Sequence, residues 1–153
     1  MINKEKMFGK IKQPYIIKTA GKKGRGVFAT RDIKIGELLM IRNYVRLKRY
    51  KAEDKRLKKS NHVDYVGNGL YVIDNSPNSY LNHSCSPNTK TKKISKNIAK
   101  NYAIKNIKKG EELTHNYAPL KRELEKAKKQ RIHIWRMKCK CGSKNCKGVV
   151  SGF

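Results

Sequence analysis

Long apolar runs are missing from this chain of 153 residues. No stretch of about 18 consecutive apolar residues exists, which excludes a membrane-spanning helix. The opening stretch, MINKEKMFGKIKQPYIIK, has no apolar run long enough for a secretory signal. We therefore expect an intracellular protein in a reducing compartment, and the length predicts one domain with a hydrophobic core.

Acidic residues are also scarce. The chain carries 11 Asp and Glu against 38 Lys and Arg, a formal net charge of +27. Such an excess favours a polyanionic partner, most simply nucleic acid bound without sequence preference. The alternative is a solvated surface with a compositional bias toward lysine, because the charge is spread over most of the chain. The densest basic segments are 48–60, 90–100 and 121–131.

Few prolines and glycines separate the short apolar runs. Runs rich in β-branched and aromatic residues predict strands at 14–18, 26–30, 37–47, 70–74 and 101–107. The basic segments 48–60 and 90–100 are predicted as loops between these strands. Segment 119–137 begins with proline and has apolar residues at helical spacing, so it predicts a helix. The expected fold class is mostly β with one C-terminal helix.

Two segments of the chain resemble each other. FATRDIKIGELL at 28–39 and YAIKNIKKGEEL at 102–113 agree at six of twelve positions. Each reads as a strand end, an isoleucine anchor, a turn at glycine and a second strand. The sequence therefore predicts two related strand-turn-strand units.

Cysteine is rare and unevenly placed. Cys139, Cys141 and Cys146 form a C-x-C-x4-C pattern, and three thiolates do not complete a four-coordinate structural zinc site. Cys85 is the remaining thiol and the favoured fourth ligand, with His133 as an alternative; an iron–sulfur cluster on four thiolates is a further one. A metal held by Cys85 and the tail would place the last residues of the chain over the segment around Cys85.

Three other motifs combine residues that are able to bind a ligand. Gly24 and Gly26 precede a predicted strand and would let the backbone approach a ligand closely. Asn82 and His83 stand before a Ser-Cys-Ser-Pro turn, and Tyr117 ends the strand-like GEELTHNY. Taken singly, these motifs also fit a hairpin turn, a capped turn and a core tyrosine.

Taken in order, four stretches resemble the SET-domain protein lysine methyltransferases with their cysteine-rich post-SET tail. They are KGRGVFA at 23–29, NHSCSPN at 82–88, GEELTHNYA at 110–118 and CKCGSKNCKG at 139–148. The resemblance implies a SET fold of short curled β-sheets with a pseudoknot, a C-terminal helix and a zinc-stapled tail. It divides the chain into an N-terminal extension at 1–13, a SET domain at 14–118, a basic helical connector at 119–137 and a post-SET tail at 138–153.

The resemblance also implies roles for individual residues. Contacts to S-adenosylmethionine are expected from Lys23, Gly24, Arg25, Gly26, Asn82, His83 and Tyr117. Tyr117 is expected to be the catalytic residue, whose hydroxyl orients the lysine amine. His115 and Tyr44 are expected to line the substrate-lysine channel, with Tyr65 and Tyr71 as alternative walls. Zinc is expected on Cys85, Cys139, Cys141 and Cys146.

Three positions depart from the family pattern. The usual aspartate is Asn116, the aromatic switch position that tunes the number of methyl groups is His115, and the arginine before the Asn-His pair is Ser79. The expected function is an S-adenosylmethionine-dependent protein-lysine N-methyltransferase that acts on a histone or another chromatin or nucleic-acid-associated protein. The alternative is a catalytically inactive, zinc-stapled module that binds nucleic acid. We expect the nucleus as its location in a eukaryote, and the cytoplasm or nucleoid otherwise.

Overall fold

The structure, a computed structural model, describes residues 13–117, 125, 128–129 and 135–152. Within these ranges the chain forms twelve short strands and a short α-helix, α1, at Lys55–Lys58. The strands are β1 (Tyr15–Thr19), β2 (Arg25–Ala29), β3 (Leu38–Asn43), β4 (Tyr50–Lys51), β5 (Val63–Gly67), β6 (Leu70–Ile73), β7 (Asn82–His83), β8 (Thr89–Lys93), β9 (Ile98–Ala103), β10 (Glu112–His115), β11 (Trp135–Lys138) and β12 (Val149–Gly152). Single 3-10 turns lie at Gly21–Lys23 and Pro77–Tyr80. No helix in these ranges is both long and apolar enough to cross a membrane.

The strands form four small sheets. Their orders are β1-β2-β10-β7, β3-β9-β8, β4-β6-β5 and β11-β12. Each neighbouring pair is antiparallel except one, because β7 runs parallel to β10 and pairs Thr114 with Asn82 and His115 with His83. This parallel contact joins two segments about thirty residues apart, and it places the Asn-His pair beside the GEELTHNY segment.

The two similar segments pack against each other with approximate twofold symmetry. Ile33 and Ile107 exchange backbone hydrogen bonds of 2.8 and 2.9 Å, and both side chains are almost fully buried. The amide of Gly36 donates to Ala103 at 2.8 Å, and the equivalent amide of Gly110 donates to Ala29 at 2.8 Å. The predicted strand-turn-strand repeat is therefore present, and its isoleucine anchors meet at the centre of the fold.

Carboxamide and carboxylate side chains extend the same symmetry. Asp32 Oδ1 accepts from the amide of Lys109 at 2.9 Å, and Asn106 Oδ1 accepts from the amide of Ile35 at 3.0 Å. These polar contacts close the two turns against each other at the surface. The buried isoleucines below them belong to a core cluster that also contains Val27, Leu39, Met40, Leu81 and Leu113.

The predicted strands are confirmed, whereas the two basic loops are wrong. Segment 48–60 contains β4 and α1, and segment 90–100 contains most of the β8–β9 hairpin. In β8 the pattern TKTKK alternates buried or half-buried threonines with exposed lysines, so it forms a strand despite its charge. Strand β5 was not predicted.

The predicted helix at 119–137 lies mostly outside the described residues. Glu125, Lys128 and Lys129 are helical, in agreement with it. Its last residues are wrong, because Trp135–Lys138 forms β11 and pairs antiparallel with β12. The tail supplies a strand partner that a helical spacing of apolar residues could not reveal.

Candidate active site and metal centre

Asn82 ties together three segments of the site. Its Nδ2 atom donates to the backbone oxygen of Arg25 at 3.0 Å and to Oε1 of Glu112 at 2.7 Å. The other carboxylate oxygen of Glu112 forms a short ion pair with Lys23. The three predicted motifs around residues 23–26, 82 and 112 therefore meet through one connected set of hydrogen bonds.

Gly26 is required by the close approach of this set to β2. A Cβ atom at position 26 would lie 2.7 Å from Glu112 Oε1, 2.9 Å from Asn82 Nδ2 and 3.0 Å from the Cβ of Ala20. Real Cβ contacts are longer than this, so any side chain would displace the two polar groups. Gly24 has a different reason, since its φ of 83° is a left-handed conformation that glycine adopts at low cost.

Tyr117 is anchored at both its backbone and its side chain. Its hydroxyl donates to the carbonyl oxygen of Leu81 at 2.6 Å, and its amide donates to Nδ1 of His83 at 3.1 Å. Burial raises the pKa of the Tyr117 phenol to about 12. The hydroxyl is therefore a protonated donor at neutral pH, held at a defined position beside the Asn-His pair.

Two histidine rings flank Tyr117. The rings of His83 and His115 lie 5.4 and 4.9 Å from its ring, and the His115 contact is edge-on. Burial lowers the pKa of His115 to about 3, and the positive charge of Arg42 contributes in the same direction. Burial also lowers the pKa of His83. Both imidazoles are neutral near pH 7.

A partly buried polar cluster surrounds Arg42. Arg42 on β3 is 3.6 Å from the carboxylate of Asp64 and 3.4 Å from that of Asp74. The hydroxyl of Tyr44 donates to Asp64 at 2.8 Å. Among the predicted channel residues, Tyr44 thus packs in a second core cluster with its hydroxyl bound to Asp64, while the rings of Tyr65 and Tyr71 contact each other at 5.2 Å.

Asp74 links this cluster to the Asn-His segment. It accepts hydrogen bonds from the amide and the hydroxyl of Ser76 at 2.9 and 3.0 Å. Its backbone oxygen accepts a short hydrogen bond from the hydroxyl of Ser79, the position where the family has arginine. These contacts fix the turn that leads into β7.

The four cysteines come together although Cys85 is more than fifty residues from the others. Their sulfur atoms all lie within 4.8 Å of one another, and Cys85 and Cys139 are 3.8 Å apart. All four are free thiols. The backbone amide of Lys147 donates to the sulfur of Cys85 at 3.4 Å. Backbone hydrogen bonding from Cys85 lowers the pKa of the Cys141 thiol to about 5, which favours a thiolate.

A cleft of about 140 Å³ lies between the motifs and the tail. Its walls come from the glycine-rich turn, the Asn-His pair, the end of the GEELTHNY segment and the cysteine-rich tail, and the lining residues are Lys22, Lys23, Asn82, His83, Tyr117, Met137, Cys139, Lys140, Cys141 and Val150. Among the predicted ligand-binding residues, Gly24, Arg25 and Gly26 are not lining residues of this cleft; Gly24 ends the 3-10 turn, and Arg25 and Gly26 begin β2. Arg25 turns outward, with its guanidinium 5.1 Å from the ring of Tyr80.

Several residues of the site were not predicted. No ligand-binding or catalytic role was predicted for Glu112, Arg42, Asp64 and Asp74. The structure shows that Glu112 binds Asn82 and that Asp64 binds Tyr44, while Arg42 and Asp74 form an ion pair beside them. The second glutamate of GEEL was the available signal for Glu112, since a carboxylate at the half-buried end of a strand needs a partner. Nothing in the local sequence pairs Arg42 with residues 22 and 32 positions later.

Comparison with known proteins identifies the family. The family model described as the SET domain matches residues 24–118, well over half of the chain. The chain therefore belongs to the SET-domain family, and its cysteine cluster agrees with a post-SET tail.

Curated relatives are much longer proteins. Histone-lysine N-methyltransferase ASHH2 of Arabidopsis thaliana is 30% identical over an alignment length of 145 residues, and the match covers 87% of this chain and 8% of that protein. The variant-silencing SET domain-containing protein of Plasmodium falciparum is 34% identical over an alignment length of 120 residues, and the match covers 67% of this chain and 5% of that protein. The chain thus spans less than a tenth of these relatives.

Solved structures share the fold. A crystal structure from Plasmodium falciparum, described as that of a histone methyltransferase, aligns with 71% of this chain and 96% of its own chain. The two share 25% sequence identity with a TM-score of 0.55. The crystal structure of KRYPTONITE in complex with mCHG DNA and SAH matches 87% of this chain and 28% of that chain, with 19% identity and a TM-score of 0.60. The mostly β SET fold predicted from the motifs is confirmed.

Proposed function

We propose that this chain is an S-adenosylmethionine-dependent protein-lysine N-methyltransferase that acts on a histone or another chromatin or nucleic-acid-associated protein. The observation that carries the proposal is the cleft in which Asn82, His83 and Tyr117 face the cysteine-rich tail. Membership of the SET-domain family and similarity to proteins named histone-lysine N-methyltransferases support it. The KRYPTONITE structure, which shares the fold, was solved with SAH.

The lining of the cleft fits S-adenosylmethionine, an amino acid joined to a nucleoside through a cationic sulfur. Lys22 supplies positive charge for a carboxylate, whereas the charge of Lys23 is compensated by Glu112. Asn82 offers its amide oxygen, because its Nδ2 atom already donates to Arg25 and Glu112. The ring of Tyr117 offers a π face to a cation, while Met137 and Val150 offer apolar surface. When bound, this cofactor supplies a methyl group on a sulfonium.

Tyr117 is the residue to which we assign the chemistry. Methyl transfer to an amine is an in-line displacement, so the placement of the acceptor amine dominates its rate. The hydroxyl is fixed by the carbonyl of Leu81, and its oxygen retains lone pairs that can orient an amine. The acceptor lysine has to be neutral, and a buried site lowers a lysine pKa.

We assign zinc to the four cysteines. Tetrahedral zinc with thiolate bonds near 2.3 Å has sulfur–sulfur distances of about 3.8 Å, and Cys85 and Cys139 are 3.8 Å apart. Zinc here would hold the tail over the cleft, because Cys139, Cys141 and Val150 are among the lining residues. Cofactor binding and metal binding would then depend on each other.

The test begins with titration of the cofactor by calorimetry. Transfer of tritium from labelled cofactor to histones, alone and in nucleosomes, follows. We expect binding and transfer for the wild type, and cofactor binding without transfer for Tyr117→Phe. Tyr15→Phe is the matched control, because Tyr15 packs beside the core on β1. Absence of cofactor binding in zinc-loaded protein would contradict the proposal.

We also propose contact with nucleic acid, which the net charge of +27 favours. A free histone tail is itself basic and would be repelled, whereas a tail on DNA would be attracted. Transfer to nucleosomes should therefore exceed transfer to free tails, and DNA binding should weaken steeply with salt. If DNA binds while the cofactor does not, the chain is an inactive nucleic-acid-binding module. A chromatin substrate would place the protein in the nucleus of a eukaryotic cell.

A further inference from the structure

The outward face of the β3-β9-β8 sheet is exposed and combines two kinds of side chain. In one row across the sheet Lys92 pairs with Lys100, which pairs with Ile41; in the next, Lys90 pairs with Tyr102, which pairs with Leu38. Strands alternate their side chains, so the intervening residues Met40, Asn101 and Ala103 point inward and are buried. This outward face is named the lysine-aliphatic face.

Three aliphatic side chains on or beside this face are exposed to solvent. Leu38 is 44% exposed, Ile41 is 54% exposed and Ile94, at the end of β8, is 49% exposed. Single exposed aliphatic residues are common. Leu38 and Ile41, however, lie together on β3, and Ile94 lies at the end of β8, across β9 from them. A group of exposed aliphatic side chains on one sheet face is of the kind that marks an interaction site. Nothing within the described residues covers them.

Charge on this face has one sign. No Asp or Glu occurs in 38–52 or in 75–110, the ranges that contain all three strands. Within the described residues, Lys90, Lys92 and Lys100 take part in no salt bridge, whereas other basic residues, such as Lys108 and Arg56, do. A partner that binds this face would therefore have to be acidic.

We propose that the lysine-aliphatic face binds an acidic segment of a partner protein that presents carboxylates together with apolar side chains. The lysines select the carboxylates, and Leu38, Ile41 and Ile94 select the apolar groups. Phosphodiester backbones match only the lysines and gain nothing from covering aliphatic side chains. A second copy of this chain is disfavoured, because a twofold contact of this face with itself would place lysines against lysines. This binding does not depend on the proposed methyltransferase activity.

The experiment uses the full chain and three labelled probes followed by fluorescence anisotropy. One short peptide alternates glutamate with leucine, a second has serine in place of leucine, and the third is an oligothymidylate of equal charge. We expect the glutamate–leucine peptide to bind about tenfold more tightly than the glutamate–serine peptide, since burial of the leucines adds to the ionic attraction. Equal affinity for the two peptides, or no binding by either, would overturn the proposal.

Paired variants separate the two contributions. Leu38→Ser with Ile41→Ser should remove the preference for leucine, and Lys90→Gln with Lys92→Gln should weaken both peptides. Lys55→Gln with Lys58→Gln makes the same charge change on α1 and should leave the affinities for both peptides close to those of the wild type. Unchanged thermal unfolding and cofactor binding would show that each variant folds. If the oligothymidylate displaces the glutamate–leucine peptide and the serine variants bind both as the wild type does, the face belongs to nucleic acid and our proposal is wrong.

Discussion

Replacing Gly26 with alanine should weaken cofactor binding although Gly26 does not line the cleft, because the added methyl group would displace Asn82, which does. The new Cβ would lie 2.7 Å from Glu112 Oε1 and 2.9 Å from Asn82 Nδ2. Both are ends of side chains and can move, so the protein should still fold. Their movement would break the hydrogen bonds of 2.7 and 3.0 Å that hold Asn82 to Glu112 and to the backbone of Arg25.

The expected cost follows from these contacts. Overpacking by one methyl group typically costs about 1–3 kcal/mol, and each lost hydrogen bond about 0.5–1.5 kcal/mol. We therefore expect Gly26→Ala to lower the free energy of unfolding by about 2 kcal/mol. If displacement of Asn82 removes about 1.4 kcal/mol of cofactor binding, the dissociation constant rises about tenfold.

The assay pairs calorimetric titration of S-adenosylmethionine with denaturant unfolding. Gly36→Ala is the matched control, because Gly36 has a φ of 89° and nothing lies within 4 Å of the position that an added methyl group would take. Alanine there should cost about 1–2 kcal/mol through backbone strain alone, without change in cofactor affinity. Cofactor affinity in Gly26→Ala equal to that of Gly36→Ala would refute the reasoning, since loss of stability would then be the whole effect.

The remaining predictions concern the tyrosine, the metal and one histidine. Tyr117→Phe should slow methyl transfer by about 100-fold or more with the cofactor dissociation constant unchanged, measured by single-turnover tritium transfer; full activity would remove its assigned role. Metal analysis should find one zinc per chain, and chelation should expose all four thiols to a colorimetric thiol reagent and lower the unfolding temperature; Cys85→Ser should do the same without chelator. The pKa of His115 is lowered to about 3, so the unfolded chain takes up a proton below pH 6.5 that the folded protein does not. Stability should fall as the pH drops from about 6.5 toward 3, by up to about 1.4 kcal/mol per pH unit, and His115→Phe should flatten this slope in urea titrations at several pH values.

Local patterns predicted much of this molecule because its motifs are short and contiguous. The glycines at 24 and 26, the Asn-His pair and the cysteines each carry a constraint that is visible in a few neighbouring residues. The clustering of the four cysteines followed from counting thiols, since the three in the tail needed a fourth and Cys85 was available. The repeat was visible because both copies keep an isoleucine and a glycine at the same spacing.

What could not be predicted depends on contacts between distant segments. Strand β8 is rich in lysine, and only its pairing with β9 and the burial of Thr89 make it a strand. Strand β11 follows a helical pattern without a break, and its partner β12 lies beyond the cysteine loop. Arg42 belongs to no local motif, because it pairs with two carboxylates that are distant in sequence: Asp64 on β5 and Asp74 in the turn after β6.

The protonation state of Tyr117 limits the chemistry that the site can perform. Its pKa of about 12 and its donation to the carbonyl of Leu81 keep the phenol neutral near pH 7. A neutral phenol whose proton is already donated to a carbonyl is a poor acceptor for a proton from a lysine amine, and desolvation lowers the pKa of the neighbouring half-buried His115 imidazole to about 3. Neither group is suited to act as a general base. Under the proposed function, the proton would leave through water before the amine attacks, and Tyr117 would place the neutral amine.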